Sequence, residues 1–172
     1  DVCSSDLRIP YYRSLEPLQP GFLPGRAEQH LAGQVFSGLT RFNGTSSEPT
    51  GDLAHHWEIS ADGLRWHFYI RSTLHWHNGD KIETAQLRQS LTALLSQAGM
   101  GTLFRSVLRI ETTHPQCLTF ILHQPDYWLA HRLATYCSRL AHPDYTVVGS
   151  GPFRLSVFEP ELVRLESHEQ YH

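Results

Sequence analysis

No apolar run in this chain approaches the roughly eighteen residues that a membrane-spanning helix needs, so no transmembrane segment is expected. The opening residues also lack the basic start and apolar stretch of a secretory signal, although a mature or shortened chain would lack these too. Charge of neither sign dominates: 14 Lys and Arg against 17 Asp and Glu give a formal charge of −3, which provides no electrostatic case for nucleic-acid binding by this segment. Asp1–Leu7 reads as the translated end of a widely used short-read sequencing adapter and is set aside from the fold, which is expected over residues 8–172. Cysteine is scarce. Without Cys3 only Cys117 and Cys137 remain, with no CxxC spacing, which excludes a disulfide framework or a cysteine zinc site. Cys117 falls in an apolar run and is expected to be a small buried hydrophobe. Internal repeats, low-complexity tracts and long charge runs are all missing.

What the chain has is enough apolar material for a core: 40% of its 172 residues are hydrophobic and 11% are aromatic, which excludes global disorder. The most informative stretch runs from Asp52 to Leu87. Two short alternating runs flank the turn signal Ala61-Asp62-Gly63, a second turn follows at Asn78-Gly79-Asp80, and helical spacing begins at Glu83-Thr84. That order predicts two or three antiparallel strands feeding a helix from about Thr84 to Gln97, with Leu87, Leu91, Leu94 and Leu95 on one face. Asp80 and Glu83 stand where a cap and a first-turn acid are expected.

Elsewhere, Arg8–Tyr12 reads as an opening strand, Ser14–Arg26 as a loop rich in proline and glycine, and Ala27–Leu39 as a helix. Thr40–Phe42 reads as a brief strand, Asn43-Gly44 as a hairpin-type turn, and Ser46–Thr50 as more loop. Gly99–Gly101 ends the helix that precedes it, and a helical turn is expected through Leu103–Val107. Leu108–Thr112 and Cys117–His123 read as strands about His114-Pro115-Gln116, and a helix is expected from Pro125 to about Tyr136. Phe153–Phe158 and Leu162–Ser167 read as a closing hairpin about Glu159-Pro160-Glu161. Strands and helices interleave, so the fold class is α/β with antiparallel ribbons.

Leu53, Ala54, Trp57, Asp62, Gly63, Trp66, Phe68, Ile70, Arg71, Trp76, His77, Asn78 and Gly79 stand at fixed spacing. This pattern resembles the signature region of the family 5 solute-binding proteins, the peptide- and nickel-binding proteins of bacterial transporters. Val148-Gly149-Ser150-Gly151-Pro152-Phe153-Arg154-Leu155 resembles a second family motif, a turn leading into a strand near the hinge, with Ser150 in place of the usual threonine. The resemblance covers Arg8 to the C-terminus. It implies the two-lobed periplasmic-binding-protein fold of type II, of which the N-terminal part, mostly the first lobe, is expected here, the domain being incomplete at its C-terminus.

Tyr11-Tyr12-Arg13, Glu28-x-His30-x-Ala32, Gln34-x-Phe36-Ser37-x-Leu39-Thr40-Arg41-x-Asn43, His55-His56 and Gln124-Pro125-Asp126-x-Trp128-Leu129 are similar to the cytoplasmic regulators of the SgrR type. Those join a winged-helix DNA-binding domain to a solute-binding domain and sense a small molecule connected with sugar-phosphate stress. The resemblance implies a sugar phosphate or a peptide-like molecule as ligand, DNA contact only through a domain upstream of Arg8, no cofactor, and a cytoplasmic location. The alternative is a secreted or lipid-anchored binding component of a transporter for peptides or nickel. In such a fold the ligand lies at loops after the first-lobe strands, which points to Tyr12, Arg13, Thr40, Arg41 and Asn43. Arg13 and Arg41 would offer bidentate guanidinium groups to a phosphate or carboxylate, or serve as ordinary salt-bridge residues.

Twelve histidines raise the question of a metal. His75-x-His77 on a strand would share one face, whereas the adjacent His55 and His56 would point to opposite faces. Neither pair has a Cys or acidic partner at zinc-like spacing, so packed or solvated histidines are the expectation. No nucleophile elbow, triad or phosphate loop is present: Gly149-Ser150-Gly151 lacks the G-x-S-x-G spacing. Binding rather than catalysis is expected. Trp57, Trp66, Trp76 and Trp128 are expected to pack in the interior rather than to contact a ligand.

Overall fold

A computed structural model of the protein describes residues 7–10, 36–44, 46–135, 138–141, 143–144, 149–150, 153–159 and 162–167. Its centre is a four-stranded sheet of β4 (Ala54–Ile59), β5 (Arg65–Ile70), β6 (Val107–His114) and β7 (Cys117–Leu122), ordered β4-β5-β7-β6. Every neighbouring pair in it is antiparallel. Alternation decides its inner face: Trp66, Phe68 and Ile70 of β5 and Leu118, Phe120 and Leu122 of β7 all enter one core, as side chains two apart on a strand must. Phe68 meets Phe120 edge to face at 5.3 Å. Central β7 is buried on both faces, and its polar member Thr119 is satisfied by the ring Nδ1 of His67 at 2.9 Å and the hydroxyl of Thr113 at 2.8 Å.

The first helix, α1 (Thr84–Leu95), lays Leu87, Leu91 and Leu94 on this core, with Leu95 partly buried beside them. Each such leucine contributes about 1.5–3 kcal/mol through burial. Glu83 is its N-cap. The side-chain Oε1 of Gln86 accepts the backbone N–H of Glu83 at 3.0 Å, one half of a capping box. The helix is followed by Gly99 at φ +87° and a single turn, α2 (Met100–Leu103), which lies earlier than the Leu103–Val107 expected from the sequence.

The turn between β4 and β5 forms at Ala61–Gly63 as read. Asp62 Oδ1 accepts the Ser60 hydroxyl at 2.5 Å and the Leu64 N–H at 3.0 Å, while Gly63 supplies the positive φ of +73°. At the second turn the Asn78 side chain accepts the Asp80 N–H at 3.0 Å, and Gly79 sits at φ +90°.

β2 (Thr40–Phe42) and β3 (Pro49–Gly51) form a separate antiparallel hairpin. The stretch read as loop to Thr50 therefore ends in a strand, because Pro49 needs no donor at an edge. Residues 36–39, read as the end of a helix, are not helical. Ser37 bridges Leu140, and the 38–39 backbone pairs with 52–54: Leu53 N–H donates to Gly38 O at 3.1 Å, and Ala54 N–H to Leu39 O at 3.1 Å. The rest of that expected helix, and the loop at 14–26, lie outside the described residues.

β1 (Leu7–Pro10) pairs antiparallel with β9 (Leu162–Ser167), which pairs with β8 (Phe153–Glu159), giving a three-stranded sheet in the order β1-β9-β8. The closing hairpin is as read. The expected helix from Pro125 to Tyr136 is shorter: α3 covers Leu129–Leu133, and Asp126 caps the approach by accepting the Trp128 N–H at 3.1 Å. Trp128 does not pack in the interior. It is 62% exposed, because it sits at the N-cap of this short helix rather than on its buried face, which carries Leu129, Ala130 and Leu133. Trp66 and Trp76 are in the core and Trp57 packs partly against it, as expected. Cys117 is buried and free.

Candidate functional site

Of the five residues read as ligand-facing, Thr40, Arg41 and Asn43 fall on the β2–β3 hairpin, and Tyr12 and Arg13 lie outside the described residues. The strand alternation separates the three. Thr40 turns inward, is 1% exposed and donates its hydroxyl to the Ala130 carbonyl at 2.7 Å, so it anchors the hairpin to α3. Arg41 and Asn43 are exposed and border a small cleft of about 300 Å³ together with Phe42, Gly44 and Thr50. The Thr50 hydroxyl donates to the Arg41 carbonyl at 3.4 Å across the hairpin. A guanidinium and a carboxamide on one rim can bind an oxyanion or a polyol through donated hydrogen bonds.

The wall of this surface comes from residues that the sequence did not mark as ligand-facing. Phe42 lies 6.3 Å from the His131 ring, and His131 lies 4.6 Å from the Trp128 ring in an edge arrangement. His131 Nε2 is 3.6 Å from a Glu48 carboxylate oxygen. Hairpin and helix thus share a partly exposed row of Phe42, His131 and Trp128. Nothing in local spacing links residues 42, 48 and 131; the packing of hairpin on helix, with the Thr40–Ala130 hydrogen bond within it, brings them together.

His75 forms an isolated bridge with Lys81 and is not in a strand, and His77 donates its backbone N–H to Gly149 O at 2.8 Å. His55 and His56 are both exposed, beside a register shift at the start of β4, and His56 stacks on Tyr69 at 5.8 Å. Among the described residues no three His, Cys, Asp or Glu side chains gather as a metal would need. Ser150 is fully buried, and its hydroxyl has no hydrogen-bond partner among the described residues.

The signature residues of the Asp52–Leu87 stretch are scaffold. Leu53, Ala54, Phe68, Leu74 and Trp76 are 0% exposed. Arg71 Nε donates to the Asp52 carbonyl at 2.6 Å, and its backbone N–H donates to the Leu53 carbonyl at 3.1 Å, tying the start of β4 to the end of β5. Residues 48–172 match the sequence model of the bacterial extracellular solute-binding proteins, family 5 Middle. The chain belongs to this family.

Among relatives of this family 5 chain, YbaE of Escherichia coli K12, an uncharacterized protein, is 70% identical over 166 residues, which is 96% of the chain and 29% of YbaE. The HTH-type transcriptional regulator SgrR of Yersinia pestis is 32% identical over 173 residues, 96% of the chain and 30% of the regulator. The chain thus spans about 30% of the length of the curated relatives it matches. Its fold superimposes on NikA of Brucella suis, solved in complex with Fe(III)-EDTA, with a TM-score of 0.84 at 20% identity, covering 94% of the chain and 35% of NikA. The fold is therefore mixed α/β and corresponds to about a third of a type II periplasmic binding protein. Among the described residues no helix is long and apolar enough to cross a membrane.

Proposed function

We propose that this family 5 chain is the ligand-binding part of a transcription regulator that senses a small molecule of the sugar-phosphate type. In this reading residues 8–172 form the N-terminal part of the binding domain, and DNA is contacted only by a separate winged-helix domain. The carrying observation is the 32% identity to SgrR regulators across 96% of the chain, well above the 20% shared with NikA. Ligand binding without catalysis fits a hairpin rim of Arg41 and Asn43 that offers hydrogen-bond donors beside aromatic surface. Tyr12 and Arg13 complete the proposed site, with Thr40 holding the hairpin in place. Closure of two lobes about the ligand would shift the population of a DNA-binding state, and the protein would act in the cytoplasm.

The second reading, a secreted or lipid-anchored binding component of a transporter for peptides or nickel, has the structural likeness to NikA in its favour. The two separate on the source gene and on DNA binding. A reading frame that encodes a winged helix upstream of the Arg8 codon, with a full-length product whose mobility-shift on its own promoter changes with a hexose phosphate, supports the regulator. A signal peptide at that place overturns it.

A further inference from the structure

A second cavity lies away from the hairpin, between α2 and the segment that links β7 to α3. It measures about 530 Å³, within the range of small-molecule sites, and Thr102, Arg105, Ser106, Gln124, Asp126 and Arg132 line it. Its floor is built. Asp126 is 9% exposed, and its carboxylate accepts three donors: the Ser106 hydroxyl at 2.7 Å, the Trp128 backbone N–H at 3.1 Å, and the Arg132 guanidinium. Three donors, one of them a cation, satisfy this buried anion. Arg132 is held in turn by its own turn of helix, where its carbonyl accepts the Thr135 and Ser138 hydroxyls at 2.6 and 2.7 Å.

Arg105, an exposed residue, also lines the cavity, with neither a hydrogen bond nor an ion pair among the described residues. Two arginines therefore line one cavity whose lining carries a single carboxylate, and that carboxylate is already matched by Arg132. One positive charge is left over. Thr102 and Gln124 add a hydroxyl and a carboxamide at the rim. An anion in the cavity would take up this remaining charge.

We propose that this cavity is an oxyanion site, in which Arg105 and the remaining N–H groups of Arg132 hold the phosphate or carboxylate group of a small organic ligand. Arg132 is preset by Asp126, and Arg105 closes on the anion as the mobile partner. The fork geometry of guanidinium suits both oxyanions, so the class is defined by the anionic group rather than by the rest of the ligand. The site is independent of the regulator reading, since a transporter component would carry it equally well.

Isothermal titration calorimetry on the 172-residue chain tests it with inorganic phosphate, succinate, glucose 6-phosphate and uncharged glucose as probes. Saturable binding of at least one anion, weakening as sodium chloride is raised, with no binding of glucose, is expected. Which of phosphate and succinate binds identifies the oxyanion. Arg105→Gln is expected to weaken that binding about tenfold or more, since a charge-assisted hydrogen bond is lost. Arg109→Gln, a surface arginine paired with Glu111 at 2.6 Å, is expected to leave it unchanged. Arg132→Gln is the less useful variant because it strips the buried Asp126 of its cation. Arg105 bears no such load, and its variant is compared at matched thermal midpoint. Failure of every anion to bind, or equal affinity in the wild type and Arg105→Gln, overturns the proposal whatever the regulator experiments show.

Discussion

The indole N–H of the fully buried Trp76 donates over 3.0 Å to Oε1 of Gln86, and the same oxygen accepts the backbone N–H of Glu83 at the start of α1. One side chain thus satisfies the polar end of a core tryptophan and an orphan donor of a helix N-terminus. The loop that carries Trp76 is fixed to the helix it precedes, and the neighbouring His77 N–H holds Gly149 from a distant part of the chain at 2.8 Å.

Gln86→Leu keeps the size of the side chain and removes this acceptor. It leaves a buried indole N–H unpaired, so a loss of about 1–3 kcal/mol in urea unfolding is expected. Gln89→Leu, one turn along and exposed, is the control. Equal stability of the two variants would show that the Trp76–Gln86 bond carries no net stabilisation.

Gly63 and Gly79 both adopt positive φ, but their surroundings differ. A Cβ at Gly63 would stand 2.8 Å from the Tyr127 hydroxyl and 3.1 Å from Pro125 Cβ, whereas one at Gly79 would meet nothing within 4 Å. Gly79→Ala should therefore cost only the left-handed backbone term of about 1–2 kcal/mol. Gly63→Ala should cost more, since the β7–α3 segment must also move. Matching thermal midpoints for the two variants would contradict the crowding.

Asp62 gives the fold an acid-sensitive corner. The Ser60 hydroxyl, and after it the Leu64 N–H, hold its carboxyl below the ordinary carboxylate value. Because the folded value lies below the unfolded one, its stabilisation is present above the ordinary carboxylate range and fades as pH falls through the folded value. Against Asp62→Asn, the wild type should be more stable at neutral pH and lose that lead in acid. Unfolding midpoints measured across the acid range would count against this if the difference stayed constant.

Trp128 and Trp66 should respond oppositely to truncation. Trp128 is 62% exposed and touches the His131 ring, so Trp128→Ala should cost about 1 kcal/mol or less. Trp66 is 2% exposed in the core, and Trp66→Ala should cost about 3–5 kcal/mol. Denaturant unfolding of both variants measures the contrast, and a severe loss at Trp128 would mean that its ring packs after all.

Legibility in the sequence followed the range of the forces involved. The β4–β5 hairpin, the face of α1, the β6–β7 pair and the β8–β9 hairpin could all be read, because period-two and period-3.6 patterns and Asx–Gly turns are local. Residues 36–39 and β3 could not. The 36–39 segment has helical spacing, yet its backbone groups pair with 52–54 and Leu140, and tertiary pairing outweighs a propensity of a few tenths of a kcal/mol. Trp128 misled for a related reason: a helix from Pro125 to Tyr136 would carry it inside, but α3 begins one residue after it.

The sequence by itself determined the family, the alternation that buries β5 and β7, and the turns at Asp62-Gly63 and Asn78-Gly79, since each rests on neighbours within a few positions. Which polar groups meet was decided by tertiary structure alone. Thr40 became an anchor to Ala130 while Arg41 stayed on the surface, and Arg105 and Arg132 came to line one cavity from separate elements. Electrostatic and hydrogen-bond contacts act over a few ångströms in space, and only the folded chain brings positions so far apart in sequence to that distance.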